Sequence, residues 1–371
     1  LKKILELISH FCYSPITIEK IKACHFYQNS GMLKTKLAEV NEFITILNEQ
    51  GHFPLNHFSD TRPLLRKLQI GGSFLQPAEY YEIHHLLLTC QKILKSRENF
   101  EETYPLTVDK ISKLFPLNSI TKSIEEKIDE DGEVKDNASS DLSSIRKQLK
   151  ELRNRFNVKV QELLQRYMKT NILREGYVTI RSGHHVFPVK AQNRTAISGI
   201  VYDQSDSGST IFIEPIELVN FSNKILKMEL DEKKEIDKIL LNLANLIRDH
   251  LVTLNSNIKI LSYIDALHAR ARFAVEFNGA VPKINDNGYI RLIQARHPFL
   301  LLKQKPVYYQ IVEKEKLKEQ LNDVIPLNIE FGKEDNLLVL ISGPNTGGKT
   351  VALKTIGLLA LMTYMAIPIT A

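Results

Sequence analysis

Apolar positions recur every three or four residues through most of this 371-residue chain, and where that spacing lapses, short β-branched runs take its place. Ile4, Leu7, Ile8 and Phe11, then Leu33, Leu37, Val40, Phe43, Ile44 and Leu47, then Tyr80, Ile83, Leu87, Leu88, Ile93 and Leu94 mark helix faces within residues 1–117. Pro54, Pro63, Pro77 and the Gly71-Gly72 pair cut that region into short helices. From Leu142 the spacing runs through Ile145, Leu149, Leu152, Phe156, Val160, Leu163 and Tyr167, predicting one long helix to about Leu173 with Ser139 or Ser140 as its cap. A second long helix is predicted over 217–277, carrying Phe221, Ile225, Met228, Ile236, Ile239, Leu243 and Leu254, then Leu261, Ile264 and Leu267.

Between the long helices the period changes. Residues 177–181, 185–190, 197–202 and 210–213 are short β-branched and aromatic runs, separated by turns at Gly183, Asn193 and 204–208, and they predict a small β lobe. The acidic segment 124–137 centres on Asp131-Gly132 and predicts a tight turn or small hairpin. It does not fit a calcium loop, because the glycine falls where a ligand is needed and no glutamate closes the twelve-residue frame. After Gly279, runs at 289–293 and 327–331 are strand-like and lead into 337–341, an unbroken apolar run suited to a strand buried on both faces of a parallel sheet. The fold class expected is α with α/β: a helical body and long antiparallel helices, a β lobe, and the opening of a nucleotide-binding sheet.

Composition changes this picture little. Hydrophobic residues at 43% and charged residues at 25% are those of an ordinary globular chain, and the length suggests two or three domains. The longest apolar run, 356–369, is interrupted by Thr363 and Tyr364 and reads as a core helix, so no membrane partner is expected. Cys12, Cys24 and Cys90 lack metal-ligand spacing and suit reduced thiols in a cytoplasmic protein, and His52, His57, His84 and His85 have no flanking ligands.

Charge is distributed unevenly. Residues 146–194 hold twelve Lys or Arg against three Glu, a balance of +9, whereas residues 195–255 hold six basic against ten acidic residues, a balance of −4. Two long helices of opposite charge are expected to pack antiparallel like a coiled coil. The basic excess points to a surface for a polyanion, with Arg174, Arg181, Lys190 and Arg194 on the lobe, interleaved with Tyr177, His184 and His185, as candidate nucleic-acid contacts.

The sharpest chemistry lies late in the chain. Gly343-Pro344-Asn345-Thr346-Gly347-Gly348-Lys349-Thr350 fits the phosphate-binding pattern G-x-x-x-x-G-K-[ST] without mismatch, between an apolar run and an apolar helix. Glycines let the backbone N–H groups curl round a phosphate, Lys349 is placed to reach the β- and γ-phosphates, and Thr350 offers a hydroxyl to Mg²⁺. The following helix points its positive end at the same anion. Val324 and Ile325, before Pro326, are candidates for an apolar shelf under the adenine of ATP. Turnover also needs a carboxylate on a later strand, and no residue after Thr350 is acidic. The expectation is therefore of a piece of a longer ATPase, inactive alone, with its last helix incompletely packed.

These residues resemble a known family. The phosphate loop, preceded by Arg296-His297-Pro298 and Val324-Ile325-Pro326 and followed by Pro368, is similar to the ATPase opening of the MutS mismatch-repair family. Val186-Phe187-Pro188-Val189-Lys190, Gly199-Ile200-Val201-Tyr202-Asp203, Ser207-Gly208 and Phe212-Ile213-Glu214-Pro215 resemble its type-two branch more narrowly. The resemblance implies a helical core and ascending lever over 1–173, a β clamp over 174–216, a returning lever and core over 217–280, and the first part of the ATPase domain over 281–371. It also implies a homodimer that closes around nucleic acid, with each nucleotide completed by the partner subunit. The mismatch-reading domain, with its Phe-x-Glu wedge, has no counterpart here. That agrees with the type-two branch, which is associated with branched DNA, suppression of recombination, a nuclease-like domain and, in some bacteria, collided ribosomes and their RNA.

Overall fold

The computed structural model describes residues 1–303, 324–332, 338–343 and 348–371. The chain is mostly helical with small antiparallel sheets, and it divides into two compact units; besides the helices placed below it carries α4 (Arg62–Leu68), α5 (Pro77–Lys95), α6 (Pro105–Ile111), α7 (Asn118–Lys127) and α11 (Pro298–Lys303). One comprises Leu1–Leu65, Glu82–Asn118 and His250–Ala371; the other comprises Arg66–Tyr81 and Ser119–Asp249.

In the second unit, α8 (Ser140–Lys169) starts where Ser139 Oγ accepts from the Leu142 N–H at 3.0 Å. Asp141 in its first turn and Lys169 in its last match the helix dipole. Leu142, Leu149, Leu152, Phe156, Val160, Leu163 and Tyr167 are buried, a seam at seven-, three- and four-residue steps. The partner helix α9 (Ile216–Arg248) runs antiparallel, since Arg146 meets Glu232, Arg153 meets Glu229 and Arg166 meets Glu217. The segment before α8 is the expected tight turn, with Ile128 bridged to Val134 and Gly132 at φ +75°.

The strands β1 (Thr179–Arg181), β2 (His184–Lys190), β3 (Gly199–Gln204) and β4 (Thr210–Pro215) form one antiparallel sheet in the order β1-β2-β4-β3. Ser182 and Gly183, at φ 50° and 83°, make the two-residue turn between β1 and β2. Phe187, Val189, Ile211 and Ile213 of this sheet share a core with Phe156, Val160, Leu163 and Tyr167 of α8 and Leu218 of α9. The lobe is therefore fastened to the ends of the helical pair by apolar burial.

The first unit begins with α1 (Lys2–Ser9) and α2 (Pro15–Lys22), then α3 (Ser30–Gln50), which ends on Gly51 at φ 75°. The long helix α10 (Leu251–Phe277) supplies Ala266, Ala269, Phe273 and Phe277 to a core with Ile4, Ile8 and Ile21. The same core takes in Leu292 and Ala295 of β5 (Ile290–Ala295) and Leu359 and Met362 of α12 (Lys349–Tyr364). Strand β5 pairs antiparallel with β6 (Leu327–Phe331).

Two expectations are corrected. The helix predicted over 217–277 is two helices, because α9 stops at Arg248 and α10 starts at Leu251. Arg248 locks the end of α9 by donating to the carbonyls of Leu68, Ile70 and Ser73 at 2.8, 3.2 and 3.0 Å, while the apolar spacing runs on through the break. The second concerns 337–341: Leu337 lies outside the described residues, and 338–341 form no strand, with Leu338 and Leu340 each 93% exposed. A lone apolar segment cannot be a buried strand without neighbours to take its N–H and C=O groups, and no described strand pairs with it. Both described sheets are antiparallel, so they do not supply the parallel sheet expected there.

Candidate nucleotide and nucleic-acid sites

The phosphate loop is described at its two ends; Pro344, Asn345, Thr346 and Gly347 lie outside the described residues. Gly343 at φ 138° and Gly348 at φ 82° occupy backbone conformations that favour glycine, and neither would bring an added Cβ against a neighbour. What glycine supplies here is conformation, since no described residue crowds either position. Gly348 is also the N-cap of α12, a helix of 16 residues, so unpaired N–H groups and the positive helix end fall on the loop. Lys349 Nζ turns back to donate to the Gly343 carbonyl at 2.5 Å, and Thr350 is exposed in the first turn. These features fit a phosphate with its metal: two glycines at positive φ, a cation drawn back to the first of them, an exposed hydroxyl and a helix end. Val324 and Ile325 part company, Val324 being buried in the core and Ile325 90% exposed.

α12 buries one face and leaves another exposed. Leu359 and Met362 are buried, whereas Val351, Leu353 and Leu361 face outward. Beside the Arg296-His297-Pro298 motif, Thr370 Oγ1 donates to the Arg296 carbonyl at 2.5 Å and the Arg296 N–H donates to the Thr370 carbonyl at 2.8 Å. Burial, with Lys354 nearby, lowers the pKa of His297, which favours its neutral form.

In the β lobe the four candidate cations are placed as follows. Lys190 Nζ donates to Asn171 Oδ1 at 2.8 Å, and Arg174 donates to Ser209 Oγ, next to the Thr210 that pairs with Lys190. Arg181 lies over the Phe212 ring at 4.9 Å and 3.7 Å from Asp203. Arg194 is exposed on the short 3₁₀ turn Ala191–Ala196.

Cations of α8 are less available than the charge balance suggested. Arg146 and Arg153 meet Glu232 and Glu229 at 2.7 and 2.6 Å, and Lys159 and Arg166 share Glu217 at 2.8 and 3.0 Å. Lys159, with Arg166, holds the Glu217 carboxyl below the usual range, as expected of paired charges. Net charge along the sequence could not reveal this, because it depends on the register of two helices.

One polar cluster escaped sequence reasoning. Glu214 is fully buried in β4 and accepts from His184 Nδ1 at 2.9 Å and from Ser222 Oγ at 2.7 Å, and the Tyr202 ring stacks on His184 with centroids 4.1 Å apart. A bulge between Val201 and Asp203 shifts the register around Tyr202. The signal that could have found it was a lone glutamate in an otherwise apolar strand, Thr210–Pro215.

Among the described residues no three His, Cys, Asp or Glu side chains gather as a metal site, and no helix is long and apolar enough to cross a membrane.

No family model matches the chain. Proteins named Endonuclease MutS2 align with it end to end. That of Geobacillus sp. (strain WCH70) is 34% identical over 372 residues, that of Halothermothrix orenii 35% over 377, and that of Bacillus velezensis 33% over 372. Each alignment takes in 100% of this chain and 45% of the relative, so the chain spans less than half the length of the curated relatives it matches. With its phosphate loop, its β lobe on paired helices and a third of its residues identical along the whole length, the chain belongs to the type-two branch of the MutS family.

Proposed function

We propose that this chain is part of an ATP-controlled clamp on nucleic acid, acting in a homodimer on branched or recombination-intermediate DNA in the cytoplasm. The observation that carries the reading is the phosphate loop opening α12, with Gly343 and Gly348 curled and Lys349 turned over it. In this reading Lys349 and the N–H groups of 343–350 hold the phosphates of ATP, and Thr350 holds Mg²⁺. Bound ATP supplies a phosphoanhydride whose hydrolysis resets the clamp. Arg174, Arg181, Lys190 and Arg194 hold the nucleic acid through its phosphates, in the unit that does not carry the loop. The 371-residue chain alone binds nucleotide weakly and does not turn it over, since no acidic side chain follows Thr350.

Affinity capture of the full-length protein from lysate, with and without nuclease, tests this. Recovery of DNA is the expected result. Recovery of ribosomal subunits in its place would move the same parts to the stalled ribosome and its RNA.

A further inference from the structure

The first unit contains a cavity of about 320 Å³ unconnected with any residue assigned above. Lys20, Cys24, Tyr27, Ser262, Tyr263 and Arg270 line it. Arg270, on α10, is only 9% exposed, yet no carboxylate among the described residues pairs with it. Its Nη1 donates to the Ala266 carbonyl of its own helix at 3.2 Å, its Nη2 to Cys24 Sγ at 3.3 Å, and its Nε has no partner. A sulfur is a weak acceptor for a guanidinium, and burying a cation without an anion is unfavourable relative to burying it paired. The buried carboxylate of Glu39, which meets Tyr263, is already shared by Lys36 and Lys110.

A second cation faces the same space. Lys20 stands at the mouth with its ammonium on Ser262 Oγ and no carboxylate partner among the described residues. Burial and the neighbouring Arg62 and Lys259 lower its pKa, the direction expected where positive charge is in excess. The cavity thus presents a buried planar donor in Arg270, the ammonium of exposed Lys20 and the rings of Tyr27 and Tyr263. Its size suits a small molecule.

We propose that this cavity binds a small phosphate-bearing ligand, with Arg270 and Lys20 as its two cationic contacts. The guanidinium matches two phosphate oxygens at once, and the ammonium supplies a point charge to a third. Free phosphate and a nucleoside monophosphate share that chemistry; the rings favour the second.

The test separates this cavity from the phosphate loop. In Lys349→Ala protein, binding of inorganic phosphate and of adenosine monophosphate is followed by titration calorimetry, and alkylation of Cys24 by iodoacetamide is timed with and without each. Both probes are expected to bind with the loop lysine gone, and to slow Cys24 alkylation at least threefold. Lys20→Met, an exposed substitution that leaves the core intact, is expected to weaken binding at least tenfold, and Arg270→Gln to abolish it. A monophosphate bound more than tenfold tighter than phosphate identifies a nucleotide ligand, and equal affinities identify phosphate itself. Loss of all binding with Lys349→Ala, or unchanged affinity and Cys24 reactivity in Lys20→Met, would overturn the site while leaving the ATP reading untouched.

Discussion

Arg153 Nη2 on α8 meets Glu229 on α9 at 2.6 Å, and that pair stands above a seam that includes fully buried Leu163. The two features hold the helices together with different strengths. Arg153 and Glu229 are 55% and 41% exposed, so Arg153→Ala is expected to cost less than about 1 kcal/mol. Leu163→Ala leaves a cavity in the shared core of α8 and the lobe and is expected to cost about 2–5 kcal/mol. Urea denaturation of the two variants checks the order.

Gly199 sets the distance between β3 and β4. A Cβ there would lie 2.2 Å from the Glu214 carbonyl oxygen, closer than any real contact. Gly199→Ala is expected to destabilise the lobe by about 1–3 kcal/mol through backbone displacement. Hydrogen exchange should show lost protection in β3 and β4 with that in α10 unchanged.

Burial shifts Asp265 and His268 in opposite directions. Asp265 accepts from the Tyr13 and Ser14 N–H groups at 3.0 and 3.1 Å, but burial outweighs those bonds and raises its pKa from 3.8 to about 6. Burial lowers that of His268 from 6.5 to about 4, with Arg272 adding to the effect. A raised acid contributes stability that is complete below its unfolded value and is lost as pH rises through about 6. A lowered histidine contributes stability that is complete above its unfolded value and is lost as pH falls through about 4. Each is worth about 3 kcal/mol by the usual conversion, with opposite sign over the same window. Relative to the parent, Asp265→Asn should therefore gain stability as pH rises from 4 to 6.5, and His268→Gln should lose it. Parallel curves for parent and variants would contradict this.

Salt dependence distinguishes paired from available cations. If Arg174, Arg181, Lys190 and Arg194 contact duplex phosphates, log K against log salt should have a slope near about −4 in the full-length protein. Lys190→Ala, which removes a cation held among the described residues only by Asn171, should weaken all sequences alike and reduce the slope by about one unit. Arg153→Ala should leave the slope unchanged, because Glu229 already neutralises that guanidinium.

How much of this was legible in the sequence varies with the range of the forces involved. Helix α8 could be read because its cap, Ser139, and its apolar steps are local. The four lobe strands could be read because turn residues such as Gly183 bound them. The break at Asp249-His250 carries neither Gly nor Pro, and Arg248 holds it through carbonyls far along the chain. At 338–341 an apolar run implied burial, but burial needs neighbouring strands that no local pattern specifies. The phosphate loop was legible as a motif, whereas the neutralisation of Arg146, Arg153, Lys159 and Arg166 arises only when α9 is set beside α8 in register.

The most direct test of an ATP-controlled clamp is the dissociation rate of a fluorescent four-way DNA junction from the full-length protein, with and without ATP and Mg²⁺, in the parent and in Lys349→Ala. The account predicts that ATP changes the parent's rate at least tenfold. It predicts no response in Lys349→Ala, whose nucleotide-free affinity for the junction should stay within about twofold of the parent's because the loop and the lobe cations belong to different units. Equal responses to ATP in both proteins, or loss of junction binding in Lys349→Ala without nucleotide, would contradict it.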